Sequence, residues 1–368
     1  VYDPTCGSGG MLIQTRNYLT RNGENPSNLM LSGQEMNLST WAICKLNMFL
    51  HGVRGADIRK GDTLGDPQHI ENGEMMRFDR VIANPPFSLK KWGRDLAEDD
   101  RYGRYRFGIP PKDAGDLAFV QHMIASLNND GVMGVVVPHG VLFRGGAEGE
   151  IRKGIIENDL LEAVIGLPSG LFYGTGIPAA LLIINKQKDT EKIGRIIFIN
   201  AELDYQEGKN QNILSDRDIE KIVNCFNSNS DIKRFSKIVF LEEIRKNDNN
   251  LNIRRYADTS PPQENFDVKG ILNGCVPIQE IQDEYIKEVL NGFDVSIVFE
   301  SKGSQYMKFN NEIQNKSDLR QILEEMPNSI VEIFERWWDK YGISLNQIDA
   351  DVKRSEELMY GFLKDLDY

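Results

Sequence analysis

The feature that most limits what this chain can fold into is an alternation that runs through its first 186 residues. Apolar runs at 29–35, 56–60, 79–83, 132–137, 161–166 and 179–185 are short enough for strands and are bounded by Gly, Asp and Asn. Between them, segments 10–22, 38–51, 116–128 and 148–157 have helical length and helical apolar spacing. Parallel strands need a crossover of a dozen or more residues, and helices supply it. The pattern therefore predicts an α/β fold, with a largely parallel sheet and helices on both faces. Ligands of such sheets bind outside the carboxyl ends of the strands.

Beyond Lys188 the texture changes. Residues 204–260 are polar and rich in Asn, Asp and Lys, and Ser260-Pro261-Pro262 reads as a linker. The tail 279–368 carries helix-like stretches at 279–290 and at 328–341, the second with Trp337 and Trp338. The expected organisation is a core over 1–190, an extension over 191–260 and a mostly helical C-terminal region over 261–368.

Composition excludes several classes. With 40% hydrophobic and 27% charged residues the chain is of ordinary globular make-up, and no apolar run approaches a membrane span. Cys6, Cys44, Cys225 and Cys275 are scattered without Cys-x-x-Cys spacing, and the four histidines show no ligand spacing, so no metal site and no disulfide framework is expected. A cytoplasmic location is the simple reading. The net charge of −12 argues against tight, independent binding to nucleic acid, where phosphate contacts dominate. Val1 opens inside a strand-like run, so the expectation is a chain lacking an N-terminal part.

Asp3-Pro4-Thr5-Cys6-Gly7-Ser8-Gly9-Gly10 follows a short strand and precedes a helix. Glycines there permit a tight turn and close approach of a ligand to the backbone. The spacing is not the dinucleotide fingerprint, and an acid at Asp3 repels a phosphate. It suits a cationic amino group, such as that of S-adenosylmethionine. Glu35, ending the second strand, is placed to accept from ribose hydroxyls, and Asp62, ending the third, from an adenine amine. Each acid alone reads as a cap or turn residue; three at successive strand ends read as a nucleoside cradle.

The fourth strand runs directly into Asn84-Pro85-Pro86-Phe87. Two prolines remove two donors and stiffen the turn, and Asn84 adds a side-chain acceptor. An amine donating to Asn84 and to the Pro85 carbonyl loses conjugation with its ring and becomes nucleophilic. Phe87 offers a face for a base to stack on. The bland alternative is an Asn-Pro turn with a buried Phe.

Residues 88–112 carry Lys90, Lys91, Arg94, Arg101, Arg104, Arg106 and Lys112, interleaved with Trp92, Tyr102, Tyr105 and Phe107; their net charge is +3. Position beside the turn favours a DNA-facing loop over a merely solvated one. The aromatics of Phe172-Tyr173-Gly174-Thr175-Gly176 either cover the second face of a flipped base or pack beneath their loop. His139 either lines the cleft or is structural.

These motifs together resemble the modification (methyltransferase) subunit of type I restriction–modification systems, over residues 1–256. The resemblance rests on residues 3–10, on 84–88, on Arg106-Phe107-Gly108-Ile109-Pro110-Pro111, on Asp116-Leu117-Ala118-Phe119-Val120-Gln121-His122-Met123, and on residues 171–178. It continues in 207–212 and in Asn250-Leu251-Asn252-Ile253 with Arg255-Tyr256. It implies a Rossmann-like methyltransferase sheet. It also implies methyl transfer from S-adenosylmethionine to the exocyclic amine of adenine in double-stranded DNA. Asp3, Thr5, Gly7, Ser8, Gly9, Gly10, Glu35 and Asp62 would contact the cofactor, and Asn84, Pro85, Pro86 and Phe87 would hold the flipped adenine. The family works with a DNA-specificity subunit and a restriction subunit, and has an N-terminal helical domain with a further cofactor-binding segment. Two competing readings are a noncatalytic scaffold that docks a specificity subunit and a methyltransferase acting on protein glutamine. The intact tetrapeptide argues against the first, and the long loop after Ser88 against the second.

Overall fold

A computed structural model describes residues 1–368 except 173–175, 207, 210, 260–266, 291, 325, 327 and 366–368. The chain divides into two compact units, Val1–Ser260 and Pro261–Tyr368.

The first unit is built on a nine-stranded sheet. Its strands are β1 (Tyr2–Asp3), β2 (Ser32–Glu35), β3 (Asp57–Lys60), β4 (Phe78–Ala83), β5 (Leu127–Pro138), β6 (Leu161–Gly166), β7 (Ala179–Asn185), β8 (Arg195–Asn200) and β9 (Ser236–Phe240). Their order is β3-β2-β1-β4-β5-β7-β6-β8-β9. The first five in that order pair in parallel, as do β6 and β8; β7 runs antiparallel between β5 and β6, and β9 antiparallel on β8. The main helices are α1 (Gly10–Arg21), α2 (Leu38–Leu50), α3 (Asp116–Ala125), α4 (Ala147–Glu157) and α5 (Asp216–Ser228). The expected α/β architecture with a largely parallel sheet is what the chain adopts.

Strands in the middle of such a sheet are covered on both faces, so they read as continuous apolar runs rather than alternating ones. Every residue of β6 is buried, including Ala163, Val164 and Ile165. Val81, Val135, Val164 and Phe198 pack with Leu117, Val120 and Met123 of α3 and Ile151 and Ile155 of α4 in one core. Ile197, Ile199 and Ile165 join Ile222 and Cys225 of α5 in a second core. Leu12 and Ile13 of α1 meet Cys44 and Met48 of α2 in a third, over the β1–β2–β3 edge. A fully buried Ile or Leu stabilises the fold by roughly 1.5–3 kcal/mol.

Strands β8 and β9 and helix α5 fall in the stretch that sequence texture marked as an extension, so a single sheet runs across residue 190. α5 begins at a capping box, in which Ser215 and Asp218 satisfy each other's backbone N–H. The segment expected as helix up to residue 128 stops at Ala125, and β5 begins at Leu127, pairing with Phe78.

In the second unit the helical expectation meets an addition. Val276–Pro277, Phe299–Lys302 and Tyr306–Phe309 form a three-stranded antiparallel sheet beside the helices. Phe299, Phe309, Phe334, Trp337 and Tyr341 make its core. Glu280 accepts from Tyr341 Oη and from Trp337 Nε1, which satisfies two buried polar tips. The linker at Ser260-Pro261-Pro262 lies outside the described residues. No helix among the described residues is long and apolar enough to cross a membrane.

Candidate active site

Parallel pairing brings four carboxyl-terminal strand ends to one edge. The register sets Tyr2 against both Ser32 and Val81, Asp3 against Gly33, and Glu35 against Lys60. Asp3, Glu35, Asp62 and Asn84 each stand at or just beyond one of those ends.

The glycine loop turns from β1 into α1. Gly7 and Gly9 have φ of +53° and +83°, a left-handed conformation that a side chain disfavours. At Gly9 space forbids one as well, because an added Cβ would lie 2.5 Å from Met48 Cε and 2.9 Å from Cys44 Sγ. At Gly7 and Gly10 an added Cβ would meet nothing within 4 Å, so the loop faces open space there. The backbone of Cys6 is tied to the second strand through its N–H to the Gln34 carbonyl, and the Ser8 carbonyl accepts from Asn47 Nδ2 of α2.

The Glu35 carboxylate holds two turns at once. Its Oε2 accepts from Gly7 N–H at 3.1 Å and its Oε1 from Asn37 N–H at 2.8 Å. Asn37 in turn caps α2 by accepting from Ser39 and Thr40. Asp3 is 2% exposed and accepts from Thr5 N–H. Burial pushes its carboxyl up to about 7, with a smaller push from the Glu35 charge, against the pull of the Thr5 hydrogen bond. Asp62 is half-buried and accepts from Leu64 N–H, while Thr63 Oγ1 donates to the Pro4 carbonyl. The Thr63–Pro4 bond joins the turn after the third strand to the glycine loop.

Asn84 is exposed, Pro85 buried, Pro86 exposed and Phe87 half-buried. Among the described residues no hydrogen bond engages the Asn84 side chain or the Pro85 carbonyl, so both acceptors are available. The exit from the turn is held from below. Ser88, with φ of +50°, donates its N–H to Asp116 Oδ1 at 2.8 Å. Asp116 opens α3, is 1% exposed, and has its carboxyl raised by burial. Phe172 stands edge-on to Phe87, with ring centroids 6.3 Å apart and planes at 75°. Tyr173, Gly174 and Thr175 lie outside the described residues. His139 donates from Nε2 to the Ala179 carbonyl and from its backbone N–H to the Pro178 carbonyl, so it ties the end of β5 to the start of β7.

The basic loop divides in two. Lys90, Lys91, Arg101, Arg106 and Lys112 are exposed and Arg94 half so. Arg104 and Trp92 are not surface groups at all: both are buried, Arg104 against Asp100 and Trp92 with its Nε1–H on the Pro111 carbonyl. Tyr105 packs with Trp92, and Phe107 packs on the main core. The interleaved aromatics are thus largely the loop's own anchors. Asp116 and Arg104 are the residues whose part the sequence did not disclose. For Asp116 the sequence showed its place in a family-like stretch and an acid one residue after Gly115 at the start of an apolar helix, but no hint of what it holds.

A nine-stranded sheet of this order, with a glycine loop after its first strand and an Asn-Pro-Pro-Phe turn after its fourth, defines a Rossmann-like methyltransferase. Residues 1–265 match the family described as N-6 DNA methylase, and the chain belongs to that family. It is 40% identical over 303 residues to the type I restriction enzyme MjaVII methylase subunit of Methanocaldococcus jannaschii, covering 79% of this chain and 51% of that protein. It is 34% identical over 276 residues to the HindI methylase subunit of Haemophilus influenzae, covering 72% and 60%. Among solved structures, the methyltransferase subunit of a type I restriction–modification system from Streptococcus thermophilus aligns with a TM-score of 0.64 at 40% identity, over 70% of this chain and 54% of that one. The chain spans about half the length of the curated relatives it matches from Methanocaldococcus jannaschii.

Proposed function

We propose that this chain carries the catalytic core of an adenine-specific DNA methyltransferase that uses S-adenosylmethionine and works with a DNA-specificity subunit and a restriction subunit. The observation that carries the reading is the placement of Asn84. It is exposed, it follows a strand that pairs directly with the one leading into the glycine loop, and among the described residues nothing occupies its side-chain acceptor or the Pro85 carbonyl.

The residues present suit the cofactor. A buried Asp3 held near neutrality by desolvation, with a second carboxylate at Glu35 beside it, favours a cationic amino group. Gly7 and Gly10 leave room for a ligand against the backbone. Glu35 and Asp62 stand at the next two strand ends for ribose and adenine. When bound, S-adenosylmethionine supplies an electrophilic methyl group on sulfonium sulfur. Asn84 Oδ1 and the Pro85 carbonyl accept the two N–H bonds of the target amine and draw its lone pair out of conjugation with the ring. Methyl transfer replaces one amine hydrogen, and exposure of Asn84 leaves that proton a way to solvent. A base reaches this position only by leaving the duplex. Phe87 offers it one face, and Phe172 packs edge-on against Phe87.

The exposed cations of residues 88–112 lie beside the turn, where they suit a phosphate backbone. A net charge of −12 leaves most of the DNA grip, and the base readout, to the specificity subunit. The test is transfer of a labelled methyl group from S-adenosylmethionine to duplex DNA by the complete assembly, followed by digestion to nucleosides. Label in N6-methyladenine is expected; label in protein glutamine, or none, contradicts the reading.

A further inference from the structure

Arg104 does something other than meet DNA. The residue is 5% exposed, and its guanidinium reaches three parts of the fold. Nε donates to Asp100 Oδ1 at 2.7 Å within its own loop, where Asp100 Oδ2 also accepts from Arg104 N–H. Nη1 donates to the Thr63 carbonyl at 3.1 Å and Nη2 to the Leu64 carbonyl at 2.8 Å, about forty residues away in sequence. Nη1 also lies 3.3 Å from His122 Nδ1 on α3.

Arginine has only donors, so His122 Nδ1 accepts and the remaining ring hydrogen sits on Nε2. That nitrogen faces the Tyr2 hydroxyl of β1 at 3.3 Å. Burial and the nearby Arg104 charge both hold His122 well below the ordinary histidine range, which keeps this tautomer neutral. The carbonyls that Arg104 grips belong to the turn whose Asp62 carboxylate accepts from Leu64 N–H, and Thr63 Oγ1 of that turn donates to the glycine loop at Pro4. At its other end Arg104 belongs to the loop that leaves the Asn-Pro-Pro-Phe turn.

We propose that Arg104 is a positioning residue that couples the cofactor-side turn at residues 62–64 to the DNA-side loop at 88–112, so that ordering one orders the other. The inference rests on the reading of Asp3, Glu35 and Asp62 as the cofactor cradle. It goes further by assigning a shared structural device to two binding events. The device is specific to arginine. A planar fork reaches two successive carbonyls and a carboxylate together, which a lysine ammonium does not. Buried Asp100 and the two carbonyls would otherwise lose their charge-assisted partner. Coupling of this kind is reciprocal in free energy: what the cofactor does for the loop, DNA on the loop does for the cofactor.

Amide hydrogen exchange on the full-length protein, with and without S-adenosylhomocysteine, tests this. In the wild type the ligand should slow exchange at 62–66 and also at 100–108, which touches no ligand in the proposed cradle. At a ligand concentration 100 times its Kd, slowing of up to about 100-fold is expected where opening releases the ligand. In Arg104→Lys, checked for folding by circular dichroism, protection should persist at 62–66 and disappear at 100–108. Wild-type protection confined to 62–66 overturns the proposal, as does equal protection of both segments in Arg104→Lys. The wild-type comparison stands even if the variant fails to fold. Absence of protection at both segments in the wild type contradicts the cofactor cradle itself, a distinct failure.

Discussion

The backbone N–H of Gly7 donates to Oε2 of Glu35 across 3.1 Å, so the glycine loop and the end of the second strand share one carboxylate. Glu35 shapes the loop, and in the proposed cradle it would also present lone pairs to a ligand. Glu35→Ala should weaken binding of S-adenosylmethionine by about 1–3 kcal/mol, as for hydrogen bonds to a charged group. Glu35→Gln keeps one acceptor oxygen and should lose less. Titration calorimetry on the three proteins checks the order.

Gly9 is closed to substitution on two independent grounds, its φ of +83° and the contact of any Cβ with Met48 and Cys44. Gly9→Ala should destabilise the protein by roughly 1–3 kcal/mol, the range for overpacking a tight core site. Gly10→Ala, where a Cβ meets nothing, should cost far less stability. Chemical unfolding curves of the two variants should separate clearly.

In the proposed cradle, Asp3 should make ligand binding depend on pH. Its folded carboxyl is raised to about 7 from the ordinary 3.8, so the folded chain holds a proton that the unfolded chain has lost. Stability of the free protein from this group is full below about pH 4 and declines as pH rises to 7. A cationic ligand favours the carboxylate, so cofactor affinity should rise as pH increases from 6 to 8, with release of a proton on binding. Calorimetry in buffers of different ionisation enthalpy measures that release, and Asp3→Asn should abolish it.

Much of this arrangement was legible in the sequence, for physical reasons that differ by element. Strands β6 and β7 were visible because well-covered central strands read as nearly continuous apolar runs, and β4 through its apolar end Val81-Ile82-Ala83. The glycine loop and the Asn84 turn were visible because their residues serve backbone geometry that few sequences satisfy. Strands β8 and β9 were not singled out: each is five or six residues long and sits in surroundings dominated by Asn, Asp and Lys. Arg104 was indistinguishable from Arg101 and Arg106, because its burial is set by Thr63, Leu64 and His122, which lie far from it in the chain. The small sheet at residues 276–309 was hidden by its brevity.

Asp116 holds the exit of the Asn84–Phe87 turn through Ser88, a residue in left-handed conformation. Asp116→Ala removes that acceptor and should lower methyl transfer by roughly tenfold or more, from the ~1.5–3 kcal/mol of a hydrogen bond to a charged group. Asp116→Asn retains an acceptor oxygen and should keep most of the activity. Cofactor affinity should be unchanged in both. A loss of cofactor binding equal to the loss of turnover would show that Asp116 acts on the whole core rather than on the turn.

The central claim is that Asn84 and Pro85 activate the amine by accepting from it, with Phe87 holding the ring. The direct measurement is the rate of methyl transfer to duplex DNA by the complete assembly carrying Asn84→Ala, with cofactor affinity determined separately. The account predicts a severe loss of transfer at near-normal cofactor affinity, and a milder loss for Phe87→Tyr than for Phe87→Ala, where lost stacking costs about 1–3 kcal/mol. Transfer by Asn84→Ala at the wild-type rate would show that Asn84-Pro85-Pro86-Phe87 is only a turn, and would contradict the mechanism.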